Sequence, residues 1–557
     1  MSPRRLLPLL AFALLHAPRL PAAPVPTLSA QVEMRDGHFL TADVFLPSSE
    51  GPFPVSMERS PYPRSAKYSM ATTRTAEGFA FVVTDLRGGV VDTGEYVPFL
   101  DDGWGERQDG FDMIAWAASQ EWCNGQIMLE GSSGSAIAAL LAAGSEPPAL
   151  AGILCDTGSA DIYSDIAFPG GVFQRSVIQD FLTEISNLES VAVVAQHARR
   201  DAFWDPVDIT MRTGQVNVPT FQVAGWFDMY VDGTLETIAA LDESGGPEAR
   251  GRQLMIVGPY THQRLFNQIQ GELTFPPNVL FSDEFRLLID RFRLEIIEGL
   301  APDVFDRPTF TYYVMGDVDR PGAPGNEWRT SDVWPPPHLE VPLYFHGQGR
   351  LRTVPAVTPG QTSYESDPST PLPTIGGNNL FEPSGPRDQR PLLGRPDILA
   401  FRTGALPASP FEIVGPMEAR LFVSSTAPDV DLMVKVCDVY PDGRVMLMRE
   451  GVRQARRREG FDQESLMVSG EIYEVRFDIG HLALALDASH ELMVLVSSTN
   501  SPRWEINPQT GAPFQINDPV RQTATVTLHH STGHPSQIIL PVTPYEDAPG
   551  PTGLFTE

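Results

Sequence analysis

The stretch that decides the fold is QIMLEGSSGSAIAALLAA, residues 126–143. Its apolar start, Ile127-Met128-Leu129, is typical of a buried strand, and its end, residues 136–143, is typical of a tightly packed helix. Between them lies a sharp, glycine-flanked turn that carries Ser133. A serine between a strand and a helix is the setting of a nucleophile elbow. Because the turn reads G-x-S-x-S instead of G-x-S-x-G, an ordinary turn serine is the alternative interpretation at this point.

The sequence around this stretch predicts an α/β sheet. Residues 31–156 alternate strand-like runs, such as residues 39–45, with helix-like runs such as residues 110–119. Such alternation predicts a mostly parallel sheet. Residues 157–216 lack strong strand patterns and contain helical stretches, which indicates a helical insertion. The sheet pattern then resumes in residues 217–334.

The character of the chain changes after Trp334-Pro335-Pro336-Pro337. Residues 335–557 contain short strand-like runs separated by clusters of Gly, Pro, Asn and Asp. This pattern predicts an all-β sandwich or jelly roll. The basic run in this region is predicted to lie on a solvated strand face, and it comprises Arg453, Arg456, Arg457 and Arg458.

Composition excludes several classes of function. The 557 residues are enough for two or three domains. The 70 acidic residues against 40 basic ones give a net charge of −30, which argues against binding nucleic acid or an anionic membrane surface. The three cysteines argue against a disulfide framework. No Cys/His spacing suggests a zinc site, so we expect neither a metal nor another cofactor.

The N-terminus has the pattern of a secretion signal. Arg4 and Arg5 precede a mostly apolar segment at residues 6–15, which is too short to span a bilayer. Small residues follow, up to Ala23. We therefore expect a signal peptide over residues 1–23, with the cleavage position left open, and export to the periplasm or the outside of the cell. No other run is long and apolar enough to predict a membrane span.

The chain order of candidate residues predicts a serine hydrolase. A serine nucleophile needs a base to accept its proton and an acid to orient that base. In proteins with a nucleophile elbow the order is serine, then aspartate or glutamate, then histidine. Asp228 follows the strand-like run at residues 220–224, and His262 follows the run at residues 253–257. We therefore predict Ser133, Asp228 and His262 as the catalytic residues.

Several further motifs accompany these residues, and they carry a resemblance to a known family. They are Met34-Arg35-Asp36-Gly37, Ser60-Pro61-Tyr62, Asp85-Leu86-Arg87-Gly88, Trp122-Cys123-Asn124-Gly125, Gly225-Trp226-Phe227-Asp228, Gly258-Pro259-Tyr260-Thr261-His262, Asp438-Val439-Tyr440-Pro441-Asp442-Gly443 and Ser497-Ser498-Thr499-Asn500-Ser501-Pro502-Arg503. With them the chain resembles the serine-hydrolase family of cocaine esterase, the X-prolyl dipeptidyl-peptidases and the α-amino-acid ester hydrolases. The resemblance implies an α/β-hydrolase domain with a helical cap and a C-terminal jelly roll.

The resemblance also implies how the site works. Ser133 attacks an acyl carbonyl, His262 acts as base and then acid, and Asp228 orients His262. Tyr62 and the N–H of Gly134 match the positions of the family's oxyanion hole. Two departures stand out. Gly134 replaces an aromatic and changes the pocket wall, and Ala136 replaces a glycine, so the helix is expected to lie slightly further from the strand.

The substrate is expected to be a small-molecule ester, an amide or a short peptide, cleaved through an acyl-enzyme. Trp226, Tyr230 and Asp165 are the predicted pocket residues. An X-prolyl dipeptidyl-peptidase is the alternative, but such enzymes capture a free amino terminus and the residues after Asp228 supply no acidic cluster. Esters are therefore expected to be cleaved better than X-Pro amides. A secreted binding protein that uses its jelly roll is the non-enzymatic alternative, and the oligomeric state is left open.

Overall fold

The structure is a computed structural model, and it describes residues 24–92, 96–159, 161–381, 383–404, 406, 411–487 and 489–544. The predicted signal peptide, residues 1–23, lies outside the described residues. Within them the chain forms two large sheets and a short ribbon. No helix of the described part combines the length and apolar character needed to cross a bilayer.

The N-terminal half is built on a 10-stranded sheet. The strands up to residue 331, including the β9–β10 ribbon, are β1 Leu28–Glu33, β2 Phe39–Phe45, β3 Phe53–Ser60, β4 Ala80–Asp85, β5 Cys123–Ser132, β6 Leu150–Asp156, β7 Thr220–Phe227, β8 Gln253–Thr261, β9 Ile269–Gln270, β10 Leu273–Thr274, β11 Phe310–Val314 and β12 Glu327–Ser331. Their order in the sheet is β1-β2-β4-β3-β5-β6-β7-β8-β11-β12. The central pairs, from β4–β3 to β8–β11, are parallel, and the pairs at the two edges are antiparallel.

Helices cover this sheet on both faces. They are α1 Tyr68–Ala76, α2 Asp109–Ala118, α3 Gly134–Ala143, α6 Val231–Ser244 and α7 Asp283–Glu298, whereas α4 Arg175–Glu184 and α5 Ser190–Gln196 belong to the insertion. Strands β4, β7 and β8 are buried at every position, as expected for parallel strands with both faces covered. Helix α3 is also buried along its whole length, because small alanine side chains let it pack closely on the sheet.

The segment between β6 and β7 forms the insertion. It contains α4 and α5, a π-helical turn at Ile162–Ala167, and 3-10 turns that include Ala202–Val207 and Ile209–Gln215. These elements lie over the carboxyl ends of the central strands, since Asn187 donates hydrogen bonds to the carbonyls of Gly88 and Tyr96 beyond β4. The insertion therefore covers this edge of the sheet.

The C-terminal half forms a single all-β domain with an 11-stranded sheet. Its strands are β13 Leu339–His346, β14 Arg350–Arg352, β15 Gly360–Ser366, β16 Ile398–Arg402, β17 Phe411–Ser425, β18 Asp431–Val439, β19 Val445–Gln454, β20 Tyr473–Leu486, β21 Glu491–Ser497, β22 Ala524–His530 and β23 Gln537–Pro544. The long β17 pairs with β20, β22 and β23. Together with the parallel sheet and the insertion, this domain confirms the predicted fold class.

Candidate active site

Ser133 lies at the junction between β5 and α3. Its backbone has φ 57° and ψ −121°, a conformation that residues with a Cβ atom rarely adopt. The turn is so tight that a Cβ atom at Gly131 would lie 2.6 Å from the Cβ atom of Ser135. Only glycine therefore fits at position 131, and the strained turn presents the Ser133 side chain as a nucleophile elbow does.

His262 connects Ser133 to Asp228. Its Nε2 atom lies 2.9 Å from Ser133 Oγ, and its Nδ1 atom lies 3.2 Å from each carboxylate oxygen of Asp228. Asp228 is fully buried and accepts a hydrogen bond of 2.9 Å from the Tyr230 N–H. A carboxylate beside Nδ1 keeps the imidazole proton on that atom and leaves Nε2 free to accept the serine proton. The structure thus brings together the three residues that the sequence singles out.

Two carboxylates determine the electrostatics of His262. Burial lowers the pKa of the imidazole, but the charge and hydrogen bond of Asp228 and the charge of Asp156 outweigh it, so the pKa is raised above its usual 6.5. Burial also raises the pKa of Asp156, which ends strand β6. An imidazole with a raised pKa accepts a proton more readily than a free one at the same pH.

Two hydrogen-bond donors point to the space beside Ser133. The Tyr62 hydroxyl lies near the Ser133 side chain, and burial together with the charge of Glu184 raises the pKa of Tyr62 to about 12. This hydroxyl therefore stays protonated at neutral pH. The second donor is the N–H of Gly134 at the first turn of α3, where amides have no acceptor within the helix. A ring on position 134 is excluded, because a Cβ atom there would lie 2.8 Å from Pro61 Cγ.

An apolar pocket opens at Ser133. It holds about 670 Å³ of empty space, its open mouth included. No charged side chain lines it among the described residues. Its walls combine the loop after β4, helix α3, the insertion and one loop of the all-β domain, and they are formed by Val97, Pro98, Phe99, Leu100, Ser133, Gly134, Ile137, Ile162, Ile166, Ala167, Val177, Ile178, Phe181, Leu182, Val194, Phe203, Trp204, Val207, Tyr230 and Leu380.

Comparison with known proteins identifies the family. Residues 36–191 and 178–264 match the model described as X-Pro dipeptidyl-peptidase (S15 family), and residues 302–539 match the X-Pro dipeptidyl-peptidase C-terminal non-catalytic domain. Cocaine esterase from Rhodococcus sp. (strain MB1 Bresler) is 30% identical over 583 residues, which cover 92% of this chain and 98% of that one. The chain belongs to the S15 family. It is a serine hydrolase of a family that acts on esters or peptides, and the predicted resemblance is confirmed.

Solved structures of the same architecture include two that match this S15-family chain along nearly its whole length. An aminopeptidase from the marine sediment archaeon Thaumarchaeota archaeon has a TM-score of 0.78 and 23% identity, and covers 95% of this chain and 100% of its own. An α-amino acid ester hydrolase has a TM-score of 0.77 and 23% identity, and covers 93% of this chain and 96% of its own. These two matches establish the shared fold.

Of the three predicted pocket residues of this S15-family protein, only Tyr230 lines the pocket at Ser133. The prediction for Trp226 is wrong. Its side chain is fully buried in the core, where the indole N–H donates a 2.6 Å hydrogen bond to the Tyr313 carbonyl and the ring packs on Trp334. Tyr230 instead stands edge-on to the His262 ring at 5.4 Å between centroids.

Asp165 is also misplaced by the sequence prediction. It lines a second cavity of about 1850 Å³, its open mouth included, which lies between the insertion, α6 and the all-β domain. There it accepts a hydrogen bond from Ser159, and burial together with the charge of Asp161 raises its pKa well above the usual value. Asp165 is therefore not among the residues that line the apolar pocket.

Sequence reasoning missed two residues at this S15-family site. Asp156 is the last residue of β6, and its position at a strand's carboxyl end is the signal that could have found it. Asn378 belongs to the all-β half, and its amide donates hydrogen bonds of 3.0 Å and 2.7 Å to the carbonyls of Trp226 and Asp228. No local pattern marks Asn378, since its partners are about 150 residues away in the chain.

Proposed function

We propose that this protein hydrolyses esters of uncharged, apolar carboxylic acids through an acyl-enzyme formed on Ser133. The observation that carries the proposal is the apolar pocket that opens at the Ser133 side chain and has no charged lining residue among those described. An acyl group is the part of the substrate that remains on the serine. Its chemistry must therefore match this pocket.

The proposed reaction has two half-reactions. Ser133 Oγ attacks the ester carbonyl carbon while His262 Nε2 takes the hydroxyl proton, and the resulting oxyanion accepts hydrogen bonds from Tyr62 and the Gly134 N–H. The ester bond breaks, and His262 gives its proton to the leaving alkoxide, which departs as an alcohol. Water then attacks the acyl-enzyme with His262 as base. Collapse of the second intermediate returns the proton to Ser133 and releases the carboxylic acid.

Asp228 supports both half-reactions in this proposal. Each proton transfer makes His262 positively charged, and the buried carboxylate at 3.2 Å from Nδ1 stabilises that charge. The same contact holds the ring so that Nε2 faces Ser133. Asp228 is itself held by the Tyr230 N–H and, through its backbone carbonyl, by Asn378.

The alternative, an X-prolyl dipeptidyl-peptidase, is supported by the family but needs an anion for the substrate ammonium. A buried ammonium without a counter-ion is strongly unfavourable. The candidate anions Asp161, Asp165 and Asp232 line the second cavity, and Asp232 is paired with Arg449 and with the His481 N–H. The apolar pocket thus favours an uncharged acyl group over an aminoacyl one.

Covalent labelling tests the role of Ser133. We expect a fluorophosphonate to modify Ser133 in the parent protein and in a Ser132→Ala control, and to leave Ser133→Ala unmodified, as read by mass spectrometry of the labelled peptide. Active protein that carries the adduct on another serine would show that the nucleophile is wrongly assigned.

A pair of substrates tests the specificity. We expect kcat/KM for a neutral aryl or alkyl ester of an apolar acid to exceed that for a dipeptidyl X-Pro amide measured on the same preparation. A clear preference for the amide would replace the esterase proposal with the peptidase alternative. If the protein hydrolyses neither substrate, and Ser133→Ala still binds the ester as the parent does, the non-enzymatic binding protein becomes the favoured alternative.

We also propose export, on the pattern of residues 1–23 alone. Expression of the full chain in a bacterial host should yield a shortened protein outside the cytoplasm, and N-terminal sequencing would locate the cleavage. A full-length protein retained in the cytoplasm would contradict the proposal.

A further inference from the structure

A second acidic residue lies at the same strand edge as Ser133 and Asp228. Strand β6 ends at Asp156, between β5, which ends one residue before Ser133, and β7, which ends one residue before Asp228. Asp156 is in register with Ser132 on β5 and with Val223 on β7. Because these three strands are parallel, their carboxyl ends meet at one edge of the sheet.

Hydrogen bonds fix the Asp156 carboxylate in one orientation. Ser132 Oγ donates to Asp156 Oδ1 over 2.5 Å, and Thr157 Oγ1 donates to the same oxygen over 3.0 Å. The other oxygen, Oδ2, has no hydrogen-bond partner among the described residues. Asp156 is also tied to the nucleophile, because its carbonyl accepts the Ser133 N–H at 3.1 Å.

The backbone beside Asp156 is strained in the same way as the nucleophile turn. Thr157 has φ 46°, in the left-handed region that a β-branched residue disfavours. Its N–H is held by the Val223 carbonyl of β7 at 2.8 Å. Such strain persists where the surroundings impose it, and it clusters at functional sites. Two strained residues, Ser133 and Thr157, therefore bracket the contact between β5 and β6.

The Asp156 carboxylate ends the strand that lies between those leading to Ser133 and Asp228, the two residues that His262 contacts, so its charge lies at the same edge of the sheet as the imidazole. The charged and titratable groups around the imidazole are Asp228 at Nδ1, the Tyr230 ring at its edge and Asp156. Asp156 and His262 stabilise each other's charged forms, whereas Asp156 and Asp228 repel. The imidazole thus has a hydrogen-bonded carboxylate and a second one that reaches it through space.

We propose that Asp156 is a positioning residue of the active site, which stabilises the protonated His262 together with Asp228 and retains part of the activity when Asp228 is neutralised. This inference rests on the proposed role of His262 as the base. Its physical reason is that positive charge on the imidazole, which develops at each proton transfer, is attracted by both carboxylates.

The inference is tested first by a direct titration of His262. We expect the pKa of His262, followed by NMR of the ¹³C- and ¹⁵N-histidine-labelled protein, to fall by roughly 0.5–1.5 units in Asp156→Asn, since loss of a neighbouring carboxylate charge has effects of this order on an imidazole. The acid limb of the kcat/KM profile should move to lower pH by the same amount. The matched control is Asp242→Asn, which removes a partly buried carboxylate bonded to Thr309, away from the site.

The proposal that Asp156 and Asp228 both stabilise the protonated His262 is tested by combining variants of the two residues. We expect Asp228→Asn to keep a residual kcat, and Asp156→Asn in that background to lower it by at least about tenfold more. If Asp156→Asn does not fold, Asp156→Ser serves instead. It also removes the carboxylate and should shift the His262 titration in the same direction by a similar amount.

An unmoved His262 pKa in Asp156→Asn, equal to that of Asp242→Asn, would overturn the inference. So would a double variant no slower than Asp228→Asn. Because the NMR titration does not depend on turnover, these outcomes are distinct from failure of the labelling experiment, which would remove the proposed function itself.

Discussion

At the scale of single residues, the site relies on donors that other parts of the fold do not use. The Gly134 N–H has no acceptor within α3 because it opens the helix, and the Tyr62 hydroxyl stays protonated because burial and Glu184 raise its pKa to about 12. Phe181 packs edge-on against the Tyr62 ring at 6.3 Å between centroids, which fixes the direction of the hydroxyl. Both donors are therefore held in place before an oxyanion forms, as effective electrostatic stabilisation requires.

We predict that Tyr62→Phe lowers kcat by about two to three orders of magnitude with a smaller change in KM, because one oxyanion donor contributes about 3–4 kcal/mol to transition-state stabilisation. Steady-state kinetics on an ester substrate measures this. Tyr68→Phe is the matched control, since its hydroxyl bonds Asp43 at 2.8 Å and does not face the pocket. A Tyr62→Phe protein within a few-fold of the parent would remove the hydroxyl from the oxyanion hole.

At the scale of the elements, the packing of α3 on the sheet depends on Gly158. A Cβ atom built at Gly158, just beyond β6, would lie 2.4 Å from the Cβ atom of Ala136. The methyl group of Ala136 therefore occupies the space that Gly158 leaves open. The sequence departs from the family at Ala136, where glycine is common. Gly158, on the opposite side of the helix–sheet contact, makes room for this alanine.

We predict that Gly158→Ala destabilises the protein by about 1–3 kcal/mol, the usual range for overpacking a buried contact. Adding Ala136→Gly should restore part of the loss, because it removes the colliding methyl group but places a glycine in a helix at a penalty of about 1 kcal/mol. Thermal or urea unfolding of the single and double variants measures both effects. Equal stability of the parent and Gly158→Ala would mean that α3 is free to move away from the sheet.

At the scale of the whole molecule, the all-β domain contributes to the geometry of the site. Leu380 lines the apolar pocket, and the Asn378 amide donates to the carbonyls of Trp226 and Asp228. Arg449 adds an ion pair to Asp232 at the start of α6 and donates to the Trp226 carbonyl at 3.2 Å. The loop that carries Asp228 is thus held from the domain that follows it in the chain.

We predict that Asn378→Ala lowers kcat by about tenfold or more, because the carbonyls of Trp226 and Asp228 each lose a buried hydrogen bond, at about 0.5–1.5 kcal/mol per bond, and the loop that carries Asp228 is held less firmly. Asn379→Ala is the control, since the Asn379 amide bonds the Gly376 carbonyl of its own loop at 2.6 Å. Measuring kcat at a temperature below the unfolding transition of both variants distinguishes an effect on the position of Asp228 from a general loss of loop stability. If both lose activity equally, the loss reflects loop stability and not the position of Asp228.

Charged residues that are buried in the fold could not be predicted from the sequence. Strand β3 was not predicted, because Glu58 and Arg59 interrupt its apolar pattern. In the fold Glu58 pairs with Lys67 at 2.5 Å and Arg59 pairs with Asp102, and both side chains are buried. Such partners lie elsewhere in the chain, so a local pattern cannot show whether a charged residue is neutralised.

The arginine run of the all-β domain illustrates the same limit. The predicted solvated face is wrong for Arg456 and Arg457, which are buried. Arg456 pairs with Asp429 at 2.7 Å, and Arg457 donates to Glu464 at 2.8 Å and to the Ala198 carbonyl of the insertion. The pairs with Asp429 and Glu464 join separate segments of the all-β domain, and the bond to Ala198 joins that domain to the insertion, so all three contacts arise only in the tertiary fold.

The sequence by itself determined the α/β class, the all-β half and the candidates Ser133, Asp228 and His262. It could do so because the turn around Ser133 is a local feature and because parallel strands bring residues at their carboxyl ends to one edge. The tertiary structure alone decided that Trp226 belongs to the core, that Asp165 lines the second cavity, and that Asp156 ends a strand between those leading to Ser133 and Asp228. Those outcomes depend on how side chains from distant segments pack and pair, which local spacing does not encode.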